Sequence, residues 1–147
     1  MKEINVRLVF ILTSITLFIC AIYVYVSNRS SDMILYSWLG IDTNNNCLEY
    51  LRRHACQTPN WVKYNLVDGM WMLSYLLFME GFWGNDEQIK LLFYIPVVAF
   101  AFIVEILQYY GCFPGTGDIL DILFYVAAIM LFILLIKLKQ MCYEKNI

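Results

Sequence analysis

The sequence predicts an all-α protein, a four-helix transmembrane bundle with a structured first extramembrane loop, and two observations carry that expectation. Hydrophobic residues make up 61% of the 147 residues and the mean hydropathy is +0.63, far above the roughly half-apolar composition of a soluble domain. Four stretches also approach the ~20 largely apolar residues that a membrane crossing requires: residues 6–26, 61–83, 90–110 and 119–138. The net charge of -2 is too small to steer a polyanion, and no basic cluster or RNA- or DNA-binding motif is visible, so nucleic acid is set aside as a partner.

The first stretch follows Lys2 and Arg7, as a secretory signal would. It is longer than the ~7 to 15 residues of a signal core and lacks a small-residue cleavage pattern, so it reads as a retained helix. The loop over residues 27–60 is long for a helix connection and is expected to be structured. Ser31 and Asp32, the run Met-Ile-Leu-Tyr-Ser-Trp-Leu and Gly40 give a cap, an apolar turn or two and a stop, which suggests a short helix at the membrane interface. After a turn at Asp42 to Asn46, Cys47 to Ala55 reads as a second short helix, with Glu49 in reach of Arg52 and Arg53 and Pro59 ending it. No repeat, low-complexity tract or linker divides the chain, so one multi-pass domain spans residues 1–147.

With four crossings, Lys2, Arg7, Lys90, Lys137, Lys139 and Lys145 fall on one side and Arg29, Arg52, Arg53 and Lys63 on the other. The excess places both termini in the cytoplasm. Glu80, on that same side, is expected to snorkel toward the loop that holds Asp86 and Glu87. Cys47, Cys56 and Cys112 share the opposite side, where a disulfide and unpaired thiols are both open readings. His54 stands beside two arginines and no Cys-x-x-Cys pair exists, so neither a metal nor another cofactor is expected.

The informative residues are those that interrupt the apolar runs, because an ionisable group in hydrocarbon costs several kcal/mol unless it is paired, neutralised or wetted. Asp68 lies about two turns into the second stretch, Glu105 and Gln108 within two turns of the end of the third, and Asp118 and Asp121 at the start of the fourth. All three helix ends lie on one membrane face, within ~10 Å of the interface at a rise of ~1.5 Å per residue. Asp118, Asp121 and Tyr125 follow at spacings of three and four and share a face, as do Asp68, Trp71, Met72, Tyr75 and Met79 on the second helix. The expected result is an aromatic-walled cavity with carboxylates at its mouth, formed by Asp68, Trp71, Tyr75, Glu105, Gln108, Asp118, Asp121 and Tyr125. So many acids need a proton, a cation or a base among them, and Lys63, Arg52 and Arg53 are candidates for the base.

Each acid also has a plainer reading. Asp118 suits an N-cap with Asp121 three residues on, while Pro114, Gly115 and Gly117 build the turn of a helical hairpin. Glu105 and Gln108 are less easily structural, since the helix dipole disfavours an anion at a C-terminus. The Trp and Tyr residues near the helix ends form an aromatic belt.

The segment Glu105-Ile-Leu-Gln108, then Pro114-Gly115-Thr116-Gly117-Asp118 and Asp121, resembles the signature of VanZ-like membrane proteins. Asn65-Leu-Val-Asp68-Gly-Met-Trp71 followed by Tyr75 is similar to the Asp-led second helix of that family and of small relatives with a Gly-Thr-Phe-Asp turn. The resemblance covers about the last 80 residues. Thr116, Leu107 and Tyr125 stand where arginine, histidine and asparagine are common, and the missing arginine argues against an anion site. The resemblance implies a bacterial cytoplasmic membrane protein of the cell envelope, in a group associated with glycopeptide tolerance.

The leading functional expectation is a binding or accessory module whose outer-leaflet carboxylate pocket engages a lipid, a lipid-linked head group or another surface ligand. The alternatives are a cation- or proton-coupled transporter or channel subunit, which needs oligomerisation at 17.3 kDa, and a subunit of a larger membrane complex. Membrane lipids, a homo-oligomer or such a complex are the expected partners. An enzyme using two carboxylates as acid and base ranks low, because no nucleophile, metal set or phosphate loop accompanies them.

Overall fold

The computed structural model describes residues 2–29, 36, 40, 46–55, 58–84 and 86–144. Five α-helices and one π-helical turn account for nearly all of them: α1 (Lys2–Asn28), α2 (Asn46–Arg53), the π turn (Val62–Leu66), α3 (Val67–Trp83), α4 (Glu87–Tyr109) and α5 (Ile119–Glu144). No strand occurs among the described residues. The short interfacial helix expected over 31–40 lies outside them, apart from a buried, helical Tyr36 and Gly40.

Three helices are long and apolar enough to cross a membrane, over Asn5–Asn28, Glu87–Tyr109 and Ile119–Met141. They make this a multi-pass helical membrane protein. The expected second crossing divides instead into the π turn and the 17 residues of α3. Burial also differs sharply between these helices. α3 buries Val67, Met72, Leu73, Leu76 and Leu77, whereas the buried residues of α4 are Lys90 and Glu105. Large apolar side chains such as Leu12, Leu92, Ile95, Phe100 and Met130 point outward. Apolar outside and polar inside is the pattern expected when lipid is the solvent.

α3 is the central helix and packs against α1, α4 and α5. Its small residues make that approach possible, as is usual where helices associate without water to drive them together. A Cβ at Gly81 would collide with the Ile11 side chain and the Arg7 carbonyl, and one at Gly69 would press on the Phe124 backbone. Between α1 and α3 the contacts run in antiparallel order: Arg7 with Gly81 and Phe82, Ser14 with Ser74, Phe18 with Trp71, and Arg29 with Lys63 and Tyr64. Phe10, Met72, Leu73, Leu76, Leu77, Ala128 and Phe132 form the apolar core at mid-height.

Helix ends follow their local chemistry. The Asp86 side chain accepts the Ile89 N–H at 3.1 Å and starts α4. Pro96 sits inside α4, where it removes one backbone donor but tolerates the helix, as transmembrane helices allow. Gly84, at φ +60°, ends α3 beneath the Arg7 guanidinium.

Glu80 does not snorkel. It is 3% exposed, and Oε2 accepts Lys90 Nζ at 3.0 Å and the Tyr94 hydroxyl at 3.1 Å while Oε1 accepts Lys139 Nζ at 2.8 Å. The two lysines, 10% and 12% exposed at their side chains, turn inward because the carboxylate is the nearest partner available to them. Glu80→Gln would leave two ammonium groups without a countercharge. The expected cost is about 3–5 kcal/mol of stability, read as a lowered thermal midpoint of the detergent-solubilised protein. A midpoint unchanged from the parent would show that the cluster carries no stability.

Candidate functional site

The opposite end of α3 holds the acids, and the π turn is what brings them together. Widening one turn rotates Asn65 inward to 3% exposure. Its Nδ2 then donates to Asp121 Oδ1 at 2.8 Å and to Asp118 Oδ2 at 3.2 Å, tying the start of α3 to the start of α5. One amide thus holds two carboxylates from the hairpin.

Arg29 is the base at this site. It follows the last residue of α1, donates from Nη2 to the Tyr64 carbonyl at 3.0 Å and from Nε to the Lys63 carbonyl at 3.4 Å, and comes within 3.9 Å of Asp68 Oδ2. The rings of Tyr25 and Tyr64 cover the guanidinium, 4.7 and 5.3 Å from its carbon. Both carbonyls belong to the π turn, so the guanidinium satisfies acceptors that the irregular turn exposes. The Asp68 and Asp121 carboxyl groups face each other next to it. The bases expected from the loop act elsewhere: Arg52 donates to the Val26 carbonyl at 3.4 Å and Arg53 pairs with Glu49 at 2.5 Å.

The predicted site residues divide into three groups. Asp68, Asp121, Asp118 and Glu105 come together, and the Tyr125 hydroxyl lies beside Glu105. Asp118 is also the cap: its Oδ1 accepts the Leu120 N–H at 3.0 Å and its carbonyl accepts the Asp121 N–H at 3.1 Å. Gln108 ties the hairpin turn, donating to the Pro114 carbonyl at 3.0 Å. Trp71 and Tyr75 turn away from the acids, Trp71 edge-on to Phe18 of α1 and Tyr75 to the Phe93 carbonyl of α4. Helical periodicity places them on one face with Asp68, but that face is divided between neighbouring helices.

Glu105 is 7% exposed and its Oε2 has no hydrogen-bond partner among the described residues. Beside it, a cleft of about 360 Å³ opens between the last turns of α4 and the first turn of α5, with Glu105, Asp118, Tyr109 and Tyr110 among its lining residues. Gly117 permits the close hairpin behind it, since a Cβ there would collide with the Tyr109 backbone and the Glu105 carbonyl. Among the described residues no three of His, Cys, Asp and Glu are grouped to hold a metal ion. Cys112 is a free, exposed thiol, and Cys47 and Cys56 cannot be placed because the Cys47 side chain and Cys56 lie outside the described residues.

The spacing of the acids in the apolar runs singles out neither Arg29 nor Asn65 as a partner for them. Arg29 lies just beyond such a run, and Asn65 needs the π turn to face inward. The one legible signal for Arg29 is that it is the first basic residue after the span, near tyrosines able to hold it.

No protein-family model, curated protein or solved structure matches the chain. The class of protein is therefore set by the helices and the buried polar clusters themselves.

Arg29→Met should lower stability by about 1–3 kcal/mol, since it strips the π-turn carbonyls and Asp68 of a charged donor. Adding Asp68→Asn to that background should cost less than Asp68→Asn alone, giving a coupling energy in a double-mutant cycle measured by thermal unfolding. Strict additivity would mean that the two side chains do not interact.

Proposed function

We propose that this protein is a four-helix transmembrane bundle of the bacterial cytoplasmic membrane that binds an envelope lipid or lipid-linked head group in its acidic pocket, as a binding or accessory module. In this reading the π turn and α3 together form the fourth crossing, shielded from lipid by α1, α4 and α5. The VanZ-like motif supplies the envelope context: Glu105, Gln108, Asp118 and Asp121 belong to its signature, and Asp68 to its second helix. Lys90, Lys139 and Arg7 gather at the other end, which supports a cytoplasmic location for both termini.

The observation that carries the reading is the convergence of Asp68, Asp118, Asp121 and Glu105 from three helices at one end, against a single guanidinium. Such an excess of acid at an interface favours a ligand that brings positive charge or several hydrogen-bond donors. Gln108 and the cap made by Asp118 explain the hairpin without a ligand. Asp68, Asp121 and Glu105 are the working set.

Purified in mild detergent, the protein is expected to carry bound envelope lipid detectable by native mass spectrometry. Asp68→Asn with Asp121→Asn should lower that occupancy about tenfold, the loss of charge-assisted hydrogen bonds to the ligand, while the helical circular dichroism is kept. Full occupancy in the folded double variant would remove the pocket as the binding part. Proton or cation flux in proteoliposomes that disappears in the same variant would favour transport instead.

A further inference from the structure

At the start of α3 and of α5 two carboxyl groups meet. Asp68 and Asp121 lie within hydrogen-bond reach of each other, and an ionised carboxylate can only accept, so a bond between two of them requires a proton on one. Their immediate partners answer for one negative charge. Asn65 Nδ2 donates to Asp121 Oδ1 at 2.8 Å, and Arg29 Nη2 stands 3.9 Å from Asp68 Oδ2. An amide and a single guanidinium leave a second charge on the pair without compensation.

The other groups that face the pair add to that need. Tyr25 of α1 and Arg29 just beyond it, Asn65 of the π turn, Glu105 of α4, Asp118 before α5 and Tyr125 of α5 surround the two carboxyls. Among these Arg29 is the one cation, and two are further acids. Asp121 is 8% exposed and the Asp68 side chain 28%, so water screens little of the repulsion that a doubly ionised pair would suffer. The two helices also have no slack here. Gly69, next to Asp68, lies against the backbone of Phe124, three residues beyond Asp121, and the Trp61 ring stacks on that of Phe124 at 6.1 Å. Two anions could separate only by breaking this contact.

We propose that Asp68 and Asp121 share one proton that latches the start of α3 to the start of α5, and that its loss to water in alkaline medium loosens this end of the bundle. The latch goes beyond the lipid-binding reading and does not depend on it. Folding takes up the shared proton, which the unfolded chain does not hold at the same pH, so stability falls as the medium turns alkaline. Asn65 and Arg29 then act as the fixed partners of a pair whose charge can change.

The test is infrared spectroscopy of the intact protein in lipid nanodiscs at neutral pH, where a protonated carboxyl has a carbonyl stretch separate from the carboxylate and amide bands. The parent should show that stretch. Asp121→Asn should lower its intensity by one carboxyl, since the introduced amide can accept from Asn65 and donate to an ionised Asp68 in place of the proton. Asp68→Asn should do the same and serves if the first variant does not fold, whereas Glu105→Gln should leave this component in place. In thermal unfolding the parent's midpoint should fall by about 5 °C from neutral to mildly alkaline medium, and Asp121→Asn should remove that fall. No protonated carboxyl in the parent, an intensity unchanged in both aspartate variants, or its complete loss in Glu105→Gln overturns the shared proton. A midpoint that falls equally in the parent and in Asp121→Asn overturns the latch.

Discussion

A buried carboxylate that holds two ammonium groups sets the arrangement of the helices. Glu80 of α3 accepts Lys90 and Tyr94 of α4 and Lys139 of α5, and one residue further on Arg7 of α1 donates to the Gly81 and Phe82 carbonyls. Helices α1, α3, α4 and α5 therefore meet at one level through charge-assisted bonds. Such clusters add little net stability over a well-packed apolar core, because desolvating the ions offsets most of their attraction. Their effect is on register: a slip by one turn at this end would strand at least one charge in apolar surroundings. With that end held, Gly69 and Ser74 meet their partners along the rest of α3.

The depth of the charges explains why α3 is the central helix. Asp68 and Glu80 are twelve residues apart on it, about 18 Å at ~1.5 Å per residue, while the hydrocarbon core of a bilayer is about 30 Å thick. Both groups cannot lie in water at once. The three long helices, at 27, 23 and 26 residues, are long enough to span that core and place protein around both charged ends of α3. Their own exposed surfaces remain largely apolar, while α3, at 17 residues, is too short to cross without the π turn before it. A helix screened by its neighbours can carry Asp, Glu, Gly and Ser.

Much of this was legible from residue type and spacing. The helical class, both ends of α4 and the start of α5 within a few residues, the cap at Asp118 and the gathering of Asp68, Glu105, Asp118 and Asp121 follow from hydropathy runs and turn residues. The errors share one cause. Glu80 reads as snorkelling, and Arg52 and Arg53 read as bases for the acids, because sequence reports distance from an interface along one helix and says nothing of what a neighbouring helix presents. Trp71 and Tyr75 failed for a related reason: periodicity defines a face, but which helix covers each part of it is a tertiary property. The π turn has no distinctive local signature, and Asn65 depends on it entirely.

Helix dipoles separate the charges that structure explains from the one it does not. Asp68 and Asp121 lie in the first turns of α3 and α5, where an anion is favoured, and Arg7 meets the carbonyl end of α3, where a cation is favoured. Glu80 is opposed by the dipole at the end of α3, and two lysines and a tyrosine answer for it. Glu105 is opposed in the same way near the end of α4, and yet Oε2 has no donor among the described residues. Equivalent positions in two helices thus have unequal solutions. Two lysines answer for Glu80 with charge, whereas Glu105 has only the neutral Tyr125 hydroxyl and the Asp118 backbone beside it, so the dipole at the end of α4 is left without a countercharge.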